Sequence, residues 1–195
     1  QILGLNGIYL RDDVVPYSIS SDKTKDITDI FTPFSSLKSL SIRVNYKYEG
    51  GLLFLRHFPN LESLTLDTSA DLAPLATLSN CKNLSLSGPY DKPLENISVL
   101  SGMPQMEHLR LHDVMSLKDL NFTQNMPNLK SMELESVPIL SLDGLANHPS
   151  LNTLFIDDCY ELTDGKDIAG LSALQSLHLG GRGHGCYIPD LQNLT

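Results

Sequence analysis

Three groups of residues in this sequence carry side chains equipped for chemistry. The first is His178, His184 and Cys186, whose imidazoles and thiol are of the kind that bind zinc. Their spacing argues against that use. Two of them fall in the run Gly180-Gly181-Arg182-Gly183-His184-Gly185-Cys186, and no H-x-x-x-H pair or C-x-x-C turn is present to fix a tetrahedron. Nor are these glycines a dinucleotide fingerprint: G-x-G-x-x-G counted from Gly181 needs glycine where Cys186 stands. The run reads as a loop. The second group is the N-x-S/T triplets at Asn83, Asn96, Asn121 and Asn193, of which Asn96 and Asn121 are candidate acceptors if a eukaryote secretes the protein. No G-x-S-x-G elbow, phosphate loop or H-E-x-x-H helix occurs. No catalytic residue, metal or cofactor is expected, and the chain reads as a non-enzyme.

The third group is Arg110, His112, Glu133, Glu135, Phe155, Asp157 and His178. Arg110/His112, Glu133/Glu135 and Phe155/Asp157 are pairs two residues apart, a spacing that on an extended strand puts both side chains on one face. The elements that position them are defined by the apolar residues in between. Leu109 and Leu111 alternate with Arg110 and His112, and the phrase L-x-x-L-x-L around them recurs along the chain. It returns as Leu37/Leu40/Ile42, Leu61/Leu64/Leu66, Cys81/Leu84/Leu86, Leu129/Met132/Leu134, Leu151/Leu154/Ile156 and Leu174/Leu177/Leu179. The middle residues, at 40, 64, 84, 109, 132, 154 and 177, are separated by 24, 20, 25, 23, 22 and 23.

With this phrase at this period, the chain resembles a leucine-rich-repeat protein over nearly its whole length. The back half Asp71-Leu72-Ala73-Pro74-Leu75-Ala76-Thr77-Leu78 resembles the short repeats of bacterial internalins, and Leu151 to Asp164, with Cys159, the cysteine-containing repeats of F-box proteins. The resemblance implies a solenoid of about eight units with a concave parallel β-sheet and short 3₁₀ or α turns on the convex side. It also implies a binding architecture. The usual asparagine ladder is largely missing: Asn45 fits it, but Ser69, Pro89, Val114, Val137 and Arg182 stand in the equivalent places.

The repeats extend from residue 37 to 195, and Ile188, Leu191 and Leu194 continue their beat after the glycine run. A further strand is due where the sequence stops, so the array is open to continuation in a longer protein. Residues 1–36 fit least well and read as a degenerate first repeat or N-terminal cap with a polar loop, its strand supplied by Leu3 and Leu5 or by Ile8 and Leu10. Pro59, Pro104, Pro127 and Pro149 each lie five residues before a clock residue, where they stop a helix and prepare an extended segment. Cys81 replaces a repeat leucine and reads as a small apolar residue, and three unpaired cysteines do not make a disulfide framework.

Aligned on the clock, the strands bring three columns to the open face. One reads Ser41, Thr65, Ser85, Arg110, Glu133, Phe155, His178. The next reads Arg43, Asp67, Ser87, His112, Glu135, Asp157, Gly180, and the third Ser39, Ser63, Asn83, His108, Ser131, Thr153, Ser176. In this alignment Arg110 pairs with Glu133, while Glu135 and Asp157 are like-charged neighbours with only His112 nearby. A solvated face explains the charges alone. Phe155, a large apolar group among them, favours an interface.

The net charge is −9, and residues 61 to 195 hold 7 Lys/Arg against 17 Asp/Glu. An acidic body repels phosphate backbones, so no nucleic acid is expected; a protein partner with a basic patch is. No apolar run reaches the ~18 residues of a membrane span. Two functions fit: non-catalytic protein recognition through the concave face, or the substrate-targeting or sensor module of a larger protein such as a ligase subunit or immune receptor. A structural spacer would need neither Phe155 nor the charge asymmetry. Compartment and oligomeric state have no signal in the sequence.

Overall fold

The structure is a computed structural model that describes residues 7–10, 31, 34–44 and 51–181, the first four by backbone alone. Its centre is one parallel sheet of eight strands in chain order: β1 (Gly7–Leu10), β2 (Ser39–Val44), β3 (Ser63–Thr68), β4 (Asn83–Ser87), β5 (His108–His112), β6 (Ser131–Glu135), β7 (Thr153–Asp157) and β8 (Ser176–Gly180). The register follows the leucine clock at every pairing. Leu40, Leu64, Leu84, Leu109, Met132, Leu154 and Leu177 are successive partners across the sheet. In β1, Ile8 pairs with Leu40 and Leu10 with Ile42, so the second of the two candidate segments supplies the initial strand.

The sheet is parallel because each strand returns through a back segment, and from β2 onward that segment is a short 3₁₀ turn. Between β3 and β4 it is the 3₁₀ turn Ala73–Thr77; its counterparts are Leu53–His57, Ile97–Gly102, Asn121–Asn125, Asp143–Leu145 and Lys166–Gly170. Their amides close three-residue bonds, as from Leu75 to the Leu72 carbonyl and from Thr123 to that of Leu120. Of the two helix types expected, the back segments from β2 to β8 take the 3₁₀ form. Strand leucines and back-segment leucines meet in one continuous core; Leu66, Leu75, Leu111, Leu134 and Leu145 are wholly buried. Full burial of such a side chain stabilises by about 1.5–3 kcal/mol, which no unit achieves without a neighbour.

Two ladders replace the missing asparagines. Just beyond β5, β6 and β7, Asp113, Ser136 and Asp158 take left-handed backbone conformations, with φ of 54°, 54° and 51°. Their amides donate to the carbonyls of Glu135, Asp157 and Gly180 on the following strands. That turn sends the next residue inward, so Val114, Val137 and Cys159 are buried. The Cys159 thiol donates toward the carbonyls of Leu134 and Asp157, satisfying backbone groups as expected of a cysteine there. Asn45 and Arg182 lie outside the described residues. The second ladder precedes the strands: Asn60 donates to the Ser35 carbonyl, Asn80 to Pro59, Asn128 to Pro104 and the Ser150 hydroxyl to Pro127. Cys81 is buried as an apolar residue, and burial pushes its thiol pKa up to about 11.

Candidate functional site

The site residues come from the four strands β5 to β8, whose alternating leucines face the core and leave the intervening side chains on the open face. Arg110, Glu133, Phe155 and His178 are successive register partners, as are His112, Glu135, Asp157 and Gly180. All seven candidate residues thus share one stretch of sheet, in two adjacent columns.

Their contacts differ from the simple pairing of neighbours. Arg110 reaches diagonally: its Nη2 donates to Glu135 Oε2 at 2.9 Å, while its Nε stands 3.6 Å from Glu133 Oε2. The expectation that Glu135 has only His112 for company is therefore corrected. A guanidinium with five donors can fork to two carboxylates that a strand spacing separates. His112 joins the group, with Nε2 3.8 Å from Glu135 Oε1 and 3.4 Å from Asp113 Oδ2, and Nδ1 3.2 Å from the Ser87 hydroxyl.

Phe155 does not stand alone on the face. Its ring stacks on that of His178, centroids 4.2 Å apart and planes within 6° of parallel, and the phenyl is half-buried as a result. Beside the stack, Asp157 Oδ1 accepts the Asp158 amide at 3.1 Å. A Cβ at Gly180 would come within 2.7 Å of both Asp157 Oδ1 and His178 Nε2, so the glycine leaves room for those two side-chain ends at the end of β8. Toward β3 and β4 the same face falls away into an open depression of about 270 Å³. Its floor is Ser63, Thr65, Asn83 and Ser85, and its wall is His108, Arg110 and Glu133. Of the candidate zinc ligands, His178 belongs to the aromatic stack, while His184 and Cys186 lie outside the described residues.

One array escaped the sequence reading. Lys38, Glu62, Lys82, Glu107 and Lys130 each stand two residues before a clock leucine, or its methionine, and form an alternating rim along the strand starts. Lys38 Nζ is 2.5 Å from Glu62, and Glu107 is 3.8 Å from Lys82 and 2.6 Å from Lys130. The Lys38 hydrogen bond holds the Glu62 carboxyl below its ordinary pKa, and the Lys130 hydrogen bond does the same for Glu107. The signal was present in the sequence as the order Lys, Glu, Lys, Glu, Lys at one repeat position.

The solved structures similar to this chain include an internalin (InlF) from Listeria monocytogenes, matched with a TM-score of 0.65 at 23% identity over 80% of this chain and 45% of that one. Internalin C2 from the same organism matches at 0.62 and 21% identity over 79% of this chain and 66% of that one. The leucine-rich repeat domain of the type III effector XopL matches at 0.55 and 22% identity, covering 84% and 67%. The chain spans less than two thirds of the length of both internalins. No sequence-family profile and no curated protein sequence matches the chain. At these identities the likeness is one of fold, and the fold is the leucine-rich-repeat solenoid. No helix among the described residues is long and apolar enough to cross a membrane.

Proposed function

We propose that this chain is a non-catalytic recognition module that holds a protein partner on the concave face over Arg110, His112, Glu133, Glu135, Phe155, Asp157 and His178. The observation that carries the reading is the Phe155–His178 stack set beside Glu133 and Asp157. A rigid aromatic pair offers contact area at little entropic cost, and the flanking carboxylates supply charge without a buried partner of their own. Asp113, Glu133, Glu135, Asp157 and Asp158 outnumber the one guanidinium of Arg110, so a surface bearing Lys or Arg is the complement.

The test is binding kinetics with a partner captured by cross-linking to the intact chain. Association slows with added salt, because charges farther apart than about 8 Å are screened at physiological ionic strength. Glu135→Lys combined with Asp157→Lys slows association further and leaves the fold intact, since both side chains point away from the core. Phe155→Ala accelerates dissociation and weakens binding by about 2 kcal/mol. Normal binding by both variants would place the site elsewhere on the chain.

A further inference from the structure

Beside the carboxylates, at the strand ends, runs a second feature. Tyr90, Met115, Pro138 and Tyr160 each stand three residues beyond the end of their strand, β4 to β7 in turn. Stacking of the repeats lines them up along one edge of the sheet. The core does not claim them: Tyr90 is 79% exposed and Tyr160 57%, while Met115 and Pro138 are partly covered. The Tyr160 hydroxyl donates to Asp158 Oδ1 at 2.8 Å, which ties the ridge to the acidic row next to it. That row is Asp113, Glu135, Asp157 and Asp158, all at the ends of the same strands or one residue beyond.

We infer that this edge docks an amphipathic α-helix of a partner protein, its apolar stripe on the Tyr90–Tyr160 ridge and an adjoining Lys/Arg stripe against Asp113, Glu135 and Asp157. The inference rests on the recognition role proposed above and names the shape and chemistry of the occupant. Spacing selects the helix. Parallel strands lie about 4.8 Å apart, and a helix advances about 5.4 Å per turn. A helix laid across the strands therefore presents close to one side chain per repeat. An extended segment presents same-face side chains about 6.6 Å apart, and falls out of step within three repeats. The ridge covers four repeats, which about three helical turns match. The charges set the direction of complementarity, since the row holds four carboxylates against the one guanidinium of Arg110. From β2 onward a second copy of the chain is a poor source, because the back segments there are 3₁₀ turns of at most 6 residues.

The probe is a fluorescein-labelled synthetic peptide of about 14 residues with a leucine stripe at helical spacing flanked by arginines. Two controls accompany it, a composition-matched peptide with leucine and arginine strictly alternating and a helical peptide with glutamate for arginine. Anisotropy titration with the intact chain is expected to show the arginine helix binding at least tenfold tighter than either control. Tyr90→Ser with Met115→Gln, at positions outside the core, is expected to weaken it about tenfold, and Glu135→Lys with Asp157→Lys by more. Equal binding of the alternating peptide overturns the helical occupant. Full binding by the Tyr90/Met115 variant, with loss only in the carboxylate variant, overturns the ridge while leaving the acidic recognition face standing. Failure of every basic peptide to bind overturns both.

Discussion

Gly144 is packed onto the carbonyl of Leu120 in the preceding repeat so closely that a methyl group on it would overlap that carbonyl. The contact sits where two back turns meet. Beside it, the buried Thr123 hydroxyl lies 2.7 Å from the Gly144 carbonyl oxygen and 2.8 Å from that of Leu120. Gly144→Ala must push two repeats apart, and overpacking of this kind costs about 1–3 kcal/mol or more where backbone has to move. Thr123→Val keeps the volume and removes the donor shared by two buried carbonyls, a loss of about 1–3 kcal/mol. Urea unfolding of both variants checks the pair, with Gly144→Ala expected to be the less stable.

Leu111 and Leu134 are wholly buried partners on adjacent central strands. Truncating either to alanine is expected to lower unfolding free energy by about 2–5 kcal/mol. Leu177 on β8 is 38% exposed, so Leu177→Ala should cost less than either. An equal loss at all three would contradict the burial gradient from the middle strands to the last.

His148 occupies a position that other repeats fill with Phe58, Met103 or Met126. It is buried; its Nε2 lies 3.1 Å from the Met126 carbonyl and its Nδ1 3.5 Å from the Ser150 amide. A carbonyl can only accept and an amide only donate, so this pairing wants the neutral ring with the proton on Nε2. Burial lowers its pKa from the ordinary histidine value, outweighing the hydrogen bonds to Met126 and Thr123. The unfolded chain then binds the extra proton first. Stability is full above about pH 6.5 and falls as pH drops through the range between the unfolded and the lowered folded value. His148→Phe should flatten that part of the stability profile; an unchanged slope would assign it to other groups.

The charge rim yields a prediction with a salt dependence. Lys82 stands between Glu62 and Glu107. Lys82→Glu places three carboxylates in a row, so the melting temperature should fall and recover in part as salt is raised. The conservative Lys82→Gln should fall less and respond weakly to salt.

Most of the fold could be read in the sequence because a period of two within a period near twenty-three leaves one register that turns the clock leucines toward the core. Leu40 through Leu177 pair as the clock requires, and the open-face columns follow from that alone. The side-chain contacts above the sheet were less legible. Arg110 has two carboxylates within reach, and sequence spacing does not rank the diagonal Glu135 against the adjacent Glu133. Phe155 was conspicuous as an apolar residue on a polar face, yet its stack with His178 depends on rotamers. An asparagine ladder is expected after the strands, whereas Asn60, Asn80 and Asn128 bond to carbonyls of the preceding repeat before them.

The alternating rim also constrains how the array can grow or shrink. Excision of the unit carrying Lys82 would seat Glu62 directly against Glu107, whereas excision of the two units carrying Lys82 and Glu107 would seat Glu62 against Lys130. Unit number along this stretch therefore has a parity. Pairs of units can be duplicated or lost with opposite charges still in contact, and single units cannot, although the leucine core would accept either. Chimaeras that differ by one and by two units should separate on melting temperature at low salt, and converge as the rim is screened.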